Sequence, residues 1–358
     1  VEAGTERLGN TYMATDRDGA ATSIAQQFLG RIRDVALTSA DTLAFNAVQV
    51  VASIGRQGLV HPKETGPCFI ALETCPDTKI ATFAFQEHMT LYSKHEAMFE
   101  KEHIGAVHQA FTYQQNVAKS NQGYTGTPPT SKMHHFWEVL KTGKAKIRIK
   151  FLTAICGKAG VGFDISKVDM SDSLPSHVAF TRFVSENLAF FDYAKFDELQ
   201  HLIECIEKVM ANTGTPVAHM VDVDILRMLI EKDAPVAYDE NGTAIGVPSS
   251  QSKPVDPARS RELTVYVQIL LLLWETRTYL RRLWNVGKHQ AAAKVKANKE
   301  TVRALQRIPN STNLTEKYLT RNQEIMTALE TPEGQLSLCT SFSEVMAVDS
   351  ELRVDKED

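Results

Sequence analysis

Apolar residues recur along this chain at intervals of three and four, the spacing that gathers them on one face of an α-helix. Ile24, Phe28, Ile32 and Val35/Ala36 make the first such stripe. A second follows Asp41, a residue type that caps helix N termini by accepting from backbone N–H groups. It runs through Leu43, Ala47, Val50/Val51 and Ile54, with Gly55 and Gly58 near its end. His61-Pro62 opens another helical segment, carrying Phe69, Ile70 and Leu72. Then comes Pro76-Asp77, followed by Lys79, Ile80, Phe83 and Ala84. Proline ends the preceding helix and aspartate caps the next. Asp41 and Asp77 are 36 residues apart, the length of one helix pair with its turns, which suits HEAT-type repeats of about 40 residues.

The alternation of helix and short turn continues. A long or kinked helix is expected over His95–Lys119, and a polar loop containing Pro and Gly over residues 120–131. Further helices are expected over His134–Thr142, Lys144–Lys158, Ser176–Ala189, Phe196–Asn212 and Pro216–Glu231. A long apolar helix follows over Arg261–Trp284, then an Ala/Lys-rich one over His289–Leu305. One stretch, Lys144-Ala145-Lys146-Ile147-Arg148-Ile149-Lys150, alternates with period two like a strand. No comparable segment exists to pair with it, and a lone strand leaves its backbone unsatisfied, so helix is expected there too. The predicted class is all-α, a HEAT-repeat α-solenoid of stacked antiparallel helix pairs. The expected divisions are a polar tether over 1–20, HEAT-like repeats over 21–232 and a disordered insertion over 233–260. The long apolar helix and its successor complete the solenoid over 261–305, and short helices with a polar, acidic tail fill 306–358.

Composition narrows the function. The 358 residues include 39 Lys+Arg and 43 Asp+Glu, a formal charge of −4. That is unlike a dedicated DNA-binding domain, so any nucleic-acid contact must come from a local patch. The apolar run ending at Trp274 is about half the roughly 20 residues that a membrane helix needs, and no membrane association is expected. The five cysteines, Cys68, Cys75, Cys156, Cys205 and Cys339, form no C-x-x-C pair and are expected to be reduced thiols. Sequons at Asn241, Asn310 and Asn313 carry little weight without a signal peptide. The chain opens on Val1 without an initiator Met and is expected to be a piece of something longer.

No catalytic constellation emerges. His134-His135 and the pair His103 and His108 lack the spacing that sets two imidazoles on one helix face, and His95-Glu96 has no second histidine. These are read as surface or capping histidines, with no metal and no cofactor expected. Gly157-Lys158-Ala159-Gly160-Val161-Gly162 follows a helix instead of a strand and matches neither phosphate-binding loop order, so it reads as helix termination.

The informative charge lies in Lys141, Lys144, Lys146, Arg148 and Lys150, without an acid among the residues from 141 to 150. Such a run can hold a phosphate backbone, in a salt-dependent and sequence-independent way. It would equally suit a solvated helix edge. A second cluster, Arg277, Arg281, Arg282 and Lys288, closes the apolar helix, where cations favour the negative end of the helix dipole.

Several segments follow one another in an order that carries further information. They are Gln57-Gly58-Leu59-Val60-His61-Pro62, the helix with Cys68–Leu72, the Pro76-Asp77 turn, Gln86-Glu87-His88 and Tyr92-Ser93-Lys94-His95. This order resembles the C-terminal part of the large subunit of the cohesin loader, the Nipped-B family. Asn187-Leu188-Ala189-Phe190-Phe191, the basic Lys141–Lys150 stretch, and Ile269–Leu273 leading to Tyr279-Leu280-Arg281 resemble the same family, so the likeness covers residues 40–290. The resemblance implies a HEAT solenoid forming part of a hook, in a nuclear, chromatin-associated protein. It implies a non-catalytic scaffold that binds double-stranded DNA and the cohesin ring, both SMC heads and kleisin, loads the ring for sister chromatid cohesion and stimulates its ATPase. The family's small loader subunit would bind an N-terminal region absent here. The competing expectation is a generic HEAT adaptor of the nuclear-transport or phosphatase-scaffold type, without a nucleic-acid role.

Overall fold

Helix caps that the sequence announces are in place. In the computed structural model, which describes residues 16–99, 101–157, 168–226, 256–286, 307–308 and 311–354, the chain is a succession of helices of the HEAT type. It divides into two units, Val1–Ser120 and Asn121–Asp358.

The first unit holds α1 (Asp16–Ala36), α2 (Thr42–Arg56), α3 (Pro62–Leu72), α4 (Thr78–Phe99) and α5 (His103–Asn116). Asp41 Oδ1 accepts from the Ala44 N–H at 2.9 Å, and Asp77 Oδ1 accepts from the Lys79 N–H at 2.7 Å. His61 Nδ1 accepts from the Lys63 N–H at 3.2 Å, with Pro62 in the first turn of α3, where its missing N–H costs nothing. A kink interrupts α4 at His95 (φ −135°, ψ 31°). The core between α3, α4 and α5 is built from Ile70, Leu72, Ile80, Tyr92, Phe99 and Val107. Gly66 of α3 lies so close to the Phe99 ring that a Cβ there would collide with it.

The inward faces of α1 and α2 agree with the expected stripes at Ala36, Ala47 and Val51 and otherwise differ from them. Ala25, Leu29 and Ala36, and in α2 Ala44, Ala47, Val48, Val51 and Ala52, are the buried residues. Ile24, Phe28, Val35, Leu43 and Val50 are exposed. Two adjacent stripes are apolar in each helix, and periodicity alone does not say which turns inward; the alanine-rich one does. The helix α1 also begins at Asp16, inside the expected 1–20 tether.

The second unit opens with a hairpin instead of the expected loop. Strands β1 (Tyr124–Thr125) and β2 (Thr130–Ser131) are antiparallel, with Tyr124 opposite Ser131 and a cis Thr127–Pro128 bond between them. Helices α6 (His134–Thr142), α7 (Ala145–Ile155), α8 (Ser176–Phe190) and α9 (Phe196–Val209) follow. Helical backbone continues through a π turn (Met210–Gly214), α10 (Thr215–Val221) and a second π turn (Asp222–Leu226). Here a separate Pro216–Glu231 helix was expected. The wide turn accommodates Pro216, which has no N–H to offer and would crowd a regular turn. Most of the expected insertion lies outside the described residues, but its last residues are helical. Asp256 caps α11 (Pro257–Leu283), accepting from the Ala258 N–H at 3.0 Å. The expected His289–Leu305 helix lies outside the described residues.

Helix α11 is the axis of this unit. It packs against α8, α9, α12 (Thr312–Thr327) and α13 (Pro332–Val354), which explains why Ile269–Leu273 is apolar all round and buried. Helix α13 replaces the unstructured tail expected after Thr340. Leu338, Phe342 and Met346, each four residues on, are buried together with Cys339.

A buried polar knot ties the hairpin to this bundle. The Glu186 carboxylate accepts from the Gly123 N–H at 2.8 Å, Arg182 Nε at 2.9 Å and Asn322 Nδ2 at 3.4 Å. Asn187 Oδ1 accepts from Ser131 Oγ at 2.6 Å and the Met133 N–H at 2.9 Å. Burial pushes the Glu186 carboxyl above its ordinary range, against the opposing pull of Arg182 and these hydrogen bonds.

Candidate nucleic-acid interface

The lysine run spans the end of α6 and the start of α7. Thr142 closes α6, Gly143 and Lys144 make the turn with extended backbone, and α7 begins at Ala145. Ile147, Phe151, Leu152 and Ile155 bury one face of α7 against α9. That orientation sorts the five cations.

Arg148, next to Ile147, is carried inside. Its Nε donates to Glu198 Oε1 of α9 at 2.7 Å, and its side chain is 5% exposed against 1% for Glu198. Nη1 donates to the carbonyls of Leu140 at 2.9 Å, Lys141 at 3.3 Å and Gly143 at 3.0 Å. These carbonyls lie at the C-terminal end of α6 and in the turn after it, where the helical hydrogen-bond ladder runs out. Arg148 is thus a cap and a buried ion pair, and its charge does not face solvent.

Lys141 is half-buried. Its Nζ donates to Glu138 at 2.7 Å and to Asp192 at 2.9 Å. Burial works to lower its pKa, but the hydrogen bonds to both carboxylates outweigh it, and the net shift is upward. Asp192 is set there by the turn between α8 and α9. One helical turn earlier on α6, Trp137 stacks on Phe191 (4.7 Å, 8°) and donates its indole N–H to the Asp192 carbonyl at 2.8 Å. Arg307, over the Trp284 ring at 4.9 Å, approaches Asp192 from another side at 3.4 Å. The exposed cations of the run are Lys144, Lys146 and Lys150. The partners that sort the run, Glu138, Asp192 and Glu198, include two that are 50 or more residues away from the cation they meet, and no local pattern announces them.

The second cluster is held by α9. Arg277 donates through Nε and Nη2 to Glu207 Oε1 at 3.0 and 2.8 Å, and Arg281 Nη1 lies 3.6 Å from the same oxygen. Arg282 is exposed, and Lys288 lies outside the described residues.

The remaining chemistry falls as follows. The rings of His134 and His135 are 3.9 Å apart, and burial, then His134, bring the His135 pKa down to about 4. Among the described residues no group of three His, Cys, Asp or Glu could hold a metal ion, and no helix is long and apolar enough to cross a membrane. Helix α7 ends before Gly157; Lys158–Gly162 lies outside the described residues. All five cysteines are free and buried.

Comparison with known proteins gives this geometry a setting. Residues 21–209 match the model of a family described as "Sister chromatid cohesion C-terminus". The chain is similar to the Nipped-B protein of Drosophila melanogaster, 26% identical over 208 residues, covering 55% of this chain and 9% of that protein. It is 21% identical over 202 residues to the Nipped-B-like protein of Homo sapiens, covering 55% of this chain and 7% of that one. Its fold is similar to the solved C-terminal fragment of the Chaetomium thermophilum cohesin loader SCC2, with a TM-score of 0.72 and 35% identity over 93% of this chain and 21% of that one. The chain therefore spans less than a tenth of these curated relatives.

Proposed function

Because the chain belongs to the sister chromatid cohesion C-terminus family and its fold is similar to that of a cohesin loader fragment, we propose that it is a non-catalytic scaffold segment that engages double-stranded DNA and the cohesin ring. The α6–α7 edge is its DNA contact. The observation that supports this reading is the sorting of the lysine run: Arg148 is drawn inward by Glu198, and Lys144, Lys146 and Lys150 remain exposed at the start of α7. Cations on a rigid helix can neutralise phosphates without reading sequence. Lys141 contributes less, because Glu138 and Asp192 hold it. Helix stacks expose extended surfaces suited to several partners at once, which fits binding of ring subunits, their SMC heads and kleisin, and stimulation of an ATPase carried by the ring. The place of such a protein is the nucleus, on chromatin.

Duplex DNA binding by this chain, titrated with salt, tests the reading. The triple variant Lys144→Gln, Lys146→Gln, Lys150→Gln should weaken binding and flatten the plot of log affinity against log salt by about 0.9 per lost phosphate contact. No binding at low salt, or an unchanged slope in a variant that keeps its helical circular dichroism, would remove the α6–α7 edge as the DNA contact.

A further inference from the structure

A groove in the first unit is built unlike the lysine edge. It encloses ≈ 570 Å³, within the range of sites that hold ligands. Its floor is apolar, with Ala52, Val60 and Phe69 buried. Gly58, at φ +69°, lets the chain leave α2 sharply and bring Leu59–Pro62 round as one wall. The stretch of α4 from Glu87 to His95 forms another.

The polar residues are unbalanced in sign. Among the described residues Glu87 is the one carboxylate lining the groove, and Arg56 meets it at 3.3 Å. The other ionisable side chains of the lining are the Lys94 ammonium, which is exposed, and the imidazoles of His61 and His95. With Arg56 paired to Glu87, the charge left over at the rim is that of Lys94, and a negative group for the rim with an apolar group for the floor is the complement. A phosphate backbone satisfies the rim alone and leaves the surface around Phe69 and Val60 unmatched. Charge complementarity at a rim sets orientation and association rate, while a buried apolar anchor supplies most of the affinity.

We propose that this groove docks an acidic linear peptide, which seats an aliphatic or aromatic side chain over Phe69 and Val60 and sets a carboxylate against Lys94. The docking is independent of the DNA contact proposed for the other unit.

The probe is a fluorescein-labelled peptide in which Asp and Glu alternate with Leu and Phe, titrated with the whole chain and followed by polarisation. Two control peptides replace the acids with Asn and Gln, or the apolar residues with Ser. The expected result is saturable binding of the acidic, apolar peptide, at least tenfold weaker for each control. Lys94→Glu should weaken it at least tenfold, and so should Thr90→Trp, which fills the groove from an exposed position. Lys79→Glu, an exposed charge reversal earlier on α4 and outside the lining, should leave it unchanged. So should the triple Lys144, Lys146, Lys150 variant. The proposal is overturned if the probe shows no saturable binding, if Lys94→Glu and Lys79→Glu act alike, or if the Ser-substituted control binds as well as the probe. Loss of peptide binding in the triple lysine variant would move the peptide to the other unit and likewise overturn it.

Discussion

Arg148 and Glu198, 50 positions apart in the chain, meet at 2.7 Å with both side chains buried, in the middle of what reads as a surface lysine run. Removing one partner from such a pair strands a buried charge, which costs about 3–5 kcal/mol, whereas replacing both with apolar groups of similar volume is often close to neutral. Glu198→Leu and Arg148→Met should therefore each destabilise the chain by about 3 kcal/mol or more, and the double variant by less than the sum. Urea unfolding of the four proteins checks this. Strict additivity would show that the two side chains act separately.

Asp192 restrains two cations at once, Lys141 at 2.9 Å and Arg307 at 3.4 Å, while remaining 69% exposed. Asp192→Asn removes a negative charge beside the lysine edge and one of the two carboxylates that hold Lys141. Exposed pairs are worth about 0.2–1 kcal/mol, so duplex DNA affinity at low salt should rise by about 1.4- to fivefold. Lys141→Gln should weaken binding less than Lys146→Gln does. Weaker binding by Asp192→Asn would exclude this edge as a DNA contact.

His103 is 1% exposed, and burial, with His88 nearby, brings its pKa from 6.5 down to about 3. The folded chain keeps this imidazole neutral where the unfolded chain protonates it. The unfolded state thus binds more protons between these two pKa values, and stability falls as the pH drops below 6.5. From pH 7.5 to pH 5 the loss from this residue is about 2 kcal/mol. Denaturant unfolding of the wild type and His103→Leu at both values should show a pH dependence smaller by about that amount in the variant. Equal dependence in the two would mean that His103 is not the titrating group.

Gly66 faces the Phe99 ring with no room for a Cβ. Alanine would gain about 0.5–1 kcal/mol as the better helix former, but overpacking a core costs about 1–3 kcal/mol, so Gly66→Ala should be destabilising on balance. The penalty should shrink or change sign in a Phe99→Leu background, where thermal unfolding would read the coupling. A penalty unaffected by Phe99→Leu would place the strain elsewhere.

What the sequence made legible was local. Asp41, His61-Pro62 and Asp77 act within three residues of themselves, and the capping by the two aspartates and the helix start at His61-Pro62 could be read directly. The alternating Lys144–Lys150 stretch was settled by the lack of a strand partner. Tertiary choices were not legible. Either of two neighbouring stripes of α1 could have faced inward, and only the packing of α1 against α2 selects Ala25 and Leu29 over Ile24 and Phe28. The hairpin depends on Glu186 and Asn187, more than 50 residues away. For the same reason five cations in a row looked alike, although Glu198 and Asp192 give two of them different tasks.

The two π turns between Phe196 and Leu226 affect how relatives can be aligned. A π turn takes up one residue more than an α turn, and each residue advances the helix face by about 100°. A homologous helix without the extra residue at Met210–Gly214 would carry the same amino acids onward in phase by letter but out of phase in space. The family match ends at residue 209, next to the first of these turns. For a relative with a regular α turn at that place, an alignment carried past Val209 would need a one-residue gap before positions on either side of it could be compared.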